Sequence, residues 1–134
     1  MQSSVPLISV LLFIWNTIGA ESYDYDALGC FGTTTGRGKS INLQGTRVDD
    51  FRSAIDASNL DKTVVRPCYD LIKYNHDVLY MGIVNYSVCF SFKKGMLNRE
   101  IIKQPSPKCK DRRVGGEDTI FLYRIMVHAK KPEL

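Results

Sequence analysis

Four cysteines, Cys30, Cys68, Cys89 and Cys109, follow a stretch from Met1 to Ala20 that carries no charged side chain. No other feature constrains this chain as strongly. Well-separated cysteines behind an apolar leader read as two internal disulfides in a protein that leaves the reducing cytosol. Residues 5–18 are apolar apart from Pro6, Ser9, Asn16 and Thr17, and small residues stand at Gly19 and Ala20 before the charged Glu21. Such a run has the form of a secretory signal peptide cut after Ala20. It falls short of the about 20 apolar residues that a spanning helix needs, and it has no basic flank. The expected organisation is a signal peptide over 1–20 and a single extracellular domain over 21–134, with no membrane span. The ending Lys131-Pro132-Glu133-Leu134 departs from an endoplasmic-reticulum retrieval signal at Pro132, so retention there is the lesser reading.

Charge is unevenly placed along the domain. From Glu21 to Cys89 there are 7 Lys/Arg against 9 Asp/Glu, whereas from Phe90 to Leu134 there are 11 against 5. The densest basic cluster is Lys108, Lys110, Arg112 and Arg113 around Cys109, with Lys93, Lys94, Arg99 and Lys103 upstream. These four clustered residues are the candidate contacts for an anionic or glycan partner. Nucleic acid is not expected, because the chain is secreted and its basic residues are not interleaved with aromatics.

Hydrophobic periodicity predicts the elements. Residues 23–32 alternate and then run into Leu28, Cys30 and Phe31, which reads as a first strand. Residues 33–40 are rich in Gly and Thr and read as a loop. Val48, Phe51, Ile55 and Ser58 follow helical spacing, with Asp49 and Asp50 suited to a first turn, and predict a short helix. The principal helix is expected over 63–75, capped by Thr63 and with Pro67 near its start. Residues 78–84 and 88–92 read as two strands around a tight Asn85-Tyr86-Ser87 connection, and one helical turn is expected at 97–102. Residues 119–127 give the strongest strand signal, and the tail after His128 reads as loose. The predicted fold class is α+β, a small disulfide-stapled domain with one main helix packed on a short antiparallel sheet.

Four cysteines allow three pairings, and sequence alone does not choose among them. A helix packed on the strand that follows it favours Cys68 with Cys89, which leaves Cys30 with Cys109. No cysteine lies within four residues of another, so zinc is disfavoured, and no metal or other cofactor is expected. Gly36-Arg37-Gly38-Lys39-Ser40 lacks the glycine a phosphate loop needs, because Thr33 stands in its place. The two histidines, His76 and His128, have no supporting nucleophile motif, and the paired acids Asp49-Asp50 and Glu117-Asp118 suit helix starts and turns. No catalytic residue is assigned. Asn85-Tyr86-Ser87 is an N-glycosylation sequon.

Several short motifs share one order: Ala27-Leu28-Gly29-Cys30-Phe31, Cys68 in the helix, Tyr80-Met81-Gly82-Ile83-Val84 leading to Cys89-Phe90-Ser91, Pro105-Ser106-Pro107-Lys108-Cys109, Val114-Gly115-Gly116 and Phe121-Leu122-Tyr123-Arg124. Together they resemble the WSC type of cysteine-rich extracellular module, in the four-cysteine form of invertebrate, often cnidarian, secreted proteins. They are also similar to PAN/apple domains, in which a helix is disulfide-linked to a central strand. The resemblance implies a non-catalytic domain that binds carbohydrate or another extracellular protein, and it carries no ligand-contacting residue with it. The expected function is therefore a secreted binding module for a glycan or an extracellular matrix protein. The alternatives are a structural component of an extracellular or skeletal matrix, or a secreted toxin or venom component.

Overall fold

The computed structural model describes residues 24–35, 37–109 and 113–132, so the expected leader lies outside the described residues. In chain order the elements are β1 (Tyr25–Gly32), β2 (Thr46–Asp50), a π-helical turn (Asp61–Val65) that runs into α1 (Arg66–Ile72), β3 (Val78–Val84), β4 (Val88–Lys93), α2 (Arg99–Ile102) and β5 (Thr119–Ile125). The five strands form one antiparallel sheet in the order β1-β5-β3-β4-β2. The sheet dominates and the helical stretch is short. The expectation of one main helix therefore fits only loosely, although an antiparallel sheet with two disulfides is present.

Alternation along the strands makes two cores, one on each face of the sheet. On one face Met81, Ile83, Phe121, Tyr123 and Ile125 pack against Leu60, Val64, Val65, Cys68, Tyr69 and Ile72 of the helical stretch. On the other, Phe92, Ile120 and Leu122 pack with Ile101 of α2, flanked by Phe31, Ile41, Leu43 and Leu97. β5 is buried on both faces, which explains why residues 119–125 read as an almost unbroken apolar run. The two faces fit closely at Gly82, where an added Cβ would collide with the side chain of Ile120 and stand 3.0 Å from Leu122.

The helical stretch begins earlier than Thr63, and Pro67 accounts for its shape. Proline has no N–H, and its ring crowds the carbonyl four residues back. The turn before it is widened, and Arg66 N–H reaches the Asp61 carbonyl five residues back. Thr63 lies inside that turn instead of capping it, its hydroxyl donating to the Asn59 carbonyl at 2.8 Å. The short helix expected from Val48 to Ser58 is absent; β2 stands there, followed by turns. β2 ends at Asp50 and the chain turns at once, Ala54 N–H meeting the Phe51 carbonyl at 2.9 Å. Val48 and Phe51 thus reach the same core from a strand and a turn, with a spacing that imitates a helix.

The chain leaving β5 is held as far as Ala129, the first residue of the tail expected to be loose. Val127 and Ala129 are fastened to the helix by Tyr69 Oη to the Val127 carbonyl (2.6 Å) and Ala129 N–H to the Lys73 carbonyl (2.8 Å). The rings of His76 and His128 stack at 5.2 Å over that junction, and His128 Nε2 lies 2.6 Å from the Val78 carbonyl. At the other terminus of the described chain, Arg66 pairs with Asp24 and lies over the ring of Tyr69. The Tyr25 hydroxyl donates to Asp61 at 2.8 Å. Burial, then that bond to a carboxylate, holds the Tyr25 hydroxyl's pKa well above its ordinary range.

Two disulfides tie these layers. Cys68 joins α1 to Cys89 of β4, and Cys30 of β1 joins Cys109, with Cα–Cα distances of 5.7 and 5.9 Å. They close loops of 21 and 79 residues. In the chain-entropy description these closures contribute roughly 3 and roughly 4–5 kcal/mol. Replacing both Cys68 and Cys89 by Ala is expected to cost about 3 kcal/mol or more in urea unfolding, since both are fully buried between helix and sheet. A loss below about 1 kcal/mol would contradict this account of how the helix is held.

Candidate functional site

The register aligns Gly32, Thr119, Val84, Val88 and Asp50 along one end of the sheet. Four connections meet above this end: the loop after β1, the β3–β4 turn, the segment before Cys109 and the segment 113–118. Gly32 N–H donates to the Gln104 carbonyl (2.7 Å), and Thr33 N–H to that of Asp118 (2.8 Å). Asn85 and Tyr86 N–H donate to the carbonyls of Gly116 (3.0 Å) and Gly115 (2.9 Å), while Gly115 N–H returns to Ile83 (2.9 Å). The segment 114–116 is therefore woven into the hairpin end and buried.

That weave holds an unusual backbone. Asn85 and Tyr86 both adopt left-handed conformations, with φ of 48° and 71°. Asparagine tolerates this region, but for a bulky tyrosine it costs on the order of 1–3 kcal/mol. Gly115 makes the close approach possible, since a Cβ there would collide with the Thr119 carbonyl oxygen and stand 2.6 Å from that of Ile83. Below the turn, buried Ser87 donates its hydroxyl to Asp50 at 2.6 Å. That hydrogen bond, followed by the Arg52 N–H and the charges of Arg52 and Arg47, holds the Asp50 carboxyl below the usual range.

Two clefts open on either side of Tyr86. The first, of about 480 Å³, is lined by Thr33, Ser40, Ile41, Leu43, Val84 and Asn85. The second, of about 590 Å³, is lined by Thr34, Thr35, Gln104, Ser106 and Lys108 among others. Tyr86, Glu117 and Asp118 line both. Among the described residues, neither Glu117 nor Asp118 forms an ion pair. The composite site offers an exposed aromatic side chain, two carboxylates and a ring of hydroxyl and amide groups.

Those basic residues singled out from sequence that the structure describes are scattered. Lys108 lines the second cleft, whereas Arg113 is exposed and lines neither, its carbonyl accepting the Tyr123 hydroxyl at 2.7 Å. Lys110 and Arg112 lie outside the described residues. Lys93 and Lys94 stand at the opposite end of the sheet, Lys93 opposite Val78, and Lys103 is paired with Glu100 at 3.2 Å. Asn85 is exposed in the wall of the first cleft. Tyr86, Glu117 and Asp118 were not expected as site residues. The signal that could have found them is a bulky residue in a tight turn, followed downstream by the Gly115-Gly116 pair. The sequence matches no known protein family and no curated protein.

Two outcomes follow from this geometry. Gly115→Ala is expected to destabilise the protein by about 3 kcal/mol and to free the turn, read as loss of amide protection at Asn85 and Tyr86. Unchanged protection would contradict the weave. The Asp50 interactions stabilise the fold above the ordinary carboxylate range, and that contribution disappears as pH falls through the lowered folded value. Ser87→Ala is expected to raise the Asp50 pKa toward its ordinary value in an NMR titration, and no change would show that Ser87 is not its main cause.

Proposed function

We propose that this chain is a secreted, non-catalytic, WSC-like module that binds carbohydrate. The single observation that carries the reading is the pair of adjoining clefts that meet at Tyr86, Glu117 and Asp118. A sugar ring presents a C–H face that packs on an aromatic ring, and hydroxyls that both donate and accept. Tyrosine offers an apolar body with a polar tip. Each carboxylate accepts several hydroxyl hydrogens, and the surrounding Thr, Ser, Asn and Gln groups both give and receive them. Two adjoining clefts that share these residues suit consecutive residues of a glycan chain.

The carboxylates also select among glycans. Glu117 and Asp118 border both clefts, whereas Lys108 borders one. A densely sulfated chain would be repelled by the two acids over most of its length, so a neutral glycan is the preferred ligand. The basic stretch from Lys108 to Arg113 then serves solubility or a secondary contact. Secretion is supported by the two disulfides, and among the described residues no helix is long and apolar enough to cross a membrane.

A glycan array followed by titration calorimetry tests the proposal. Neutral oligosaccharides are expected to bind, and Tyr86→Ala or the pair Glu117→Gln and Asp118→Asn to weaken them by about tenfold or more, the loss of about 1.4 kcal/mol of contact energy. Binding confined to sulfated glycans, unaffected by these variants and abolished by Lys108→Ala with Arg113→Ala, would move the site to the basic surface. An array with no binder refutes the reading.

A further inference from the structure

We propose that Asn85 is N-glycosylated only before the β3–β4 hairpin closes. Folding and glycan transfer then compete, and the chain emerges in two forms that differ in whether the first cleft is filled by the protein's own glycan. The effect on ligand binding rests on the function proposed above; the competition does not.

The sequon is presented only in part once the protein has folded. A transferase must reach both the asparagine amide and the hydroxyl two residues on. Asn85 is exposed, but Ser87 is 1% exposed and its hydroxyl is engaged by Asp50 at 2.6 Å. The backbone between them is fixed at φ 48° and 71° by hydrogen bonds to Gly116 and Gly115. Two residues beyond Ser87, fully buried Cys89 is bonded to Cys68 of α1, which pins the base of the hairpin. The bridge partner Cys68 precedes the sequon in the chain, so this clamp can form soon after Asn85 emerges. The Gly115-Gly116 partners arrive later. The window for transfer lies before both events.

The chemistry is a single substitution at the anomeric carbon of a lipid-diphosphate-linked oligosaccharide. A bond forms from that carbon to Nδ2 of Asn85, and the carbon–oxygen bond to the diphosphate breaks. The lipid diphosphate leaves with the electron pair, Nδ2 yields one proton to the transferase, and nothing is oxidised or reduced. Asn85 borders the first cleft and not the second. The attached sugar therefore lies against Thr33, Ile41 and Glu117 and leaves the Lys108 side open.

Translation of the full chain into microsomes, under oxidising conditions and with dithiothreitol, tests the competition through the mobility shift of the glycosylated product. Partial modification is expected when disulfides form, rising at least twofold when they cannot. Cys68→Ser with Cys89→Ser should show the same rise under oxidising conditions. Equal occupancy in all three cases, complete occupancy in the oxidised wild type, or no modification in any case overturns the proposal. The two wild-type forms are then separated and compared by NMR. Amide shifts at Thr33, Ile41 and Glu117 are expected, and changes confined to Asn85 and Tyr86 would overturn the placement of the glycan. Titration with an oligosaccharide that binds the unmodified form should show at least tenfold weaker binding to the modified form, and equal affinity overturns the gating. Failure of both forms to bind any glycan refutes the function proposed above, while the occupancy and NMR results still decide this inference.

Discussion

The pairing of β5 between β1 and β3 is the constraint on which the rest depends. Among the described residues β1 has no other strand neighbour, and its outer edge is partly covered by the segment at Gln104–Ser106. β5 supplies Ile120 and Leu122 to one core and Phe121, Tyr123 and Ile125 to the other. Neither layer is complete until this last strand is in place. Joining the first and last strands requires a long loop to close, which is slow and entropically costly. Cys30–Cys109 shortens that search, because it draws β1 to the segment just before β5.

The elements that were legible are those in which periodicity and burial agree. β3, β4 and β5 carry dense β-branched and aromatic runs and lie where those runs predict. The helix was legible from Val64, Cys68 and Ile72, but its start was not, because a π-helical turn ahead of Pro67 has no sequence period of its own. The region after Val48 misled for a definite reason. A bulge at Val48 and a turn after Phe51 place apolar residues three apart on one side of the chain without a helix. Burial, not propensity, decided that segment.

The candidate site was less legible because it is assembled from connections. Glu117 and Asp118 are adjacent in sequence and read as an ordinary turn. They become part of a site only because Thr33 N–H bonds to the Asp118 carbonyl and the Gly115-Gly116 backbone meets the β3–β4 turn. Charge density along the chain pointed elsewhere. Lys93 and Lys108 are close in sequence but stand toward opposite ends of the sheet, so a linear count of basic residues did not describe a surface.

The far end of the sheet has a different consequence. Met126 and Val127 N–H both reach the Asp24 carbonyl, at 2.9 and 3.2 Å, so the backbone leaving β5 lies beside the backbone leading into β1. Both clefts sit at the other end. A domain whose two chain connections adjoin, with its clefts turned away from them, is built like a plug-in cassette. It can be spliced into a longer chain, repeated in tandem or anchored to a support through either terminus, and the end that carries the clefts still points outward.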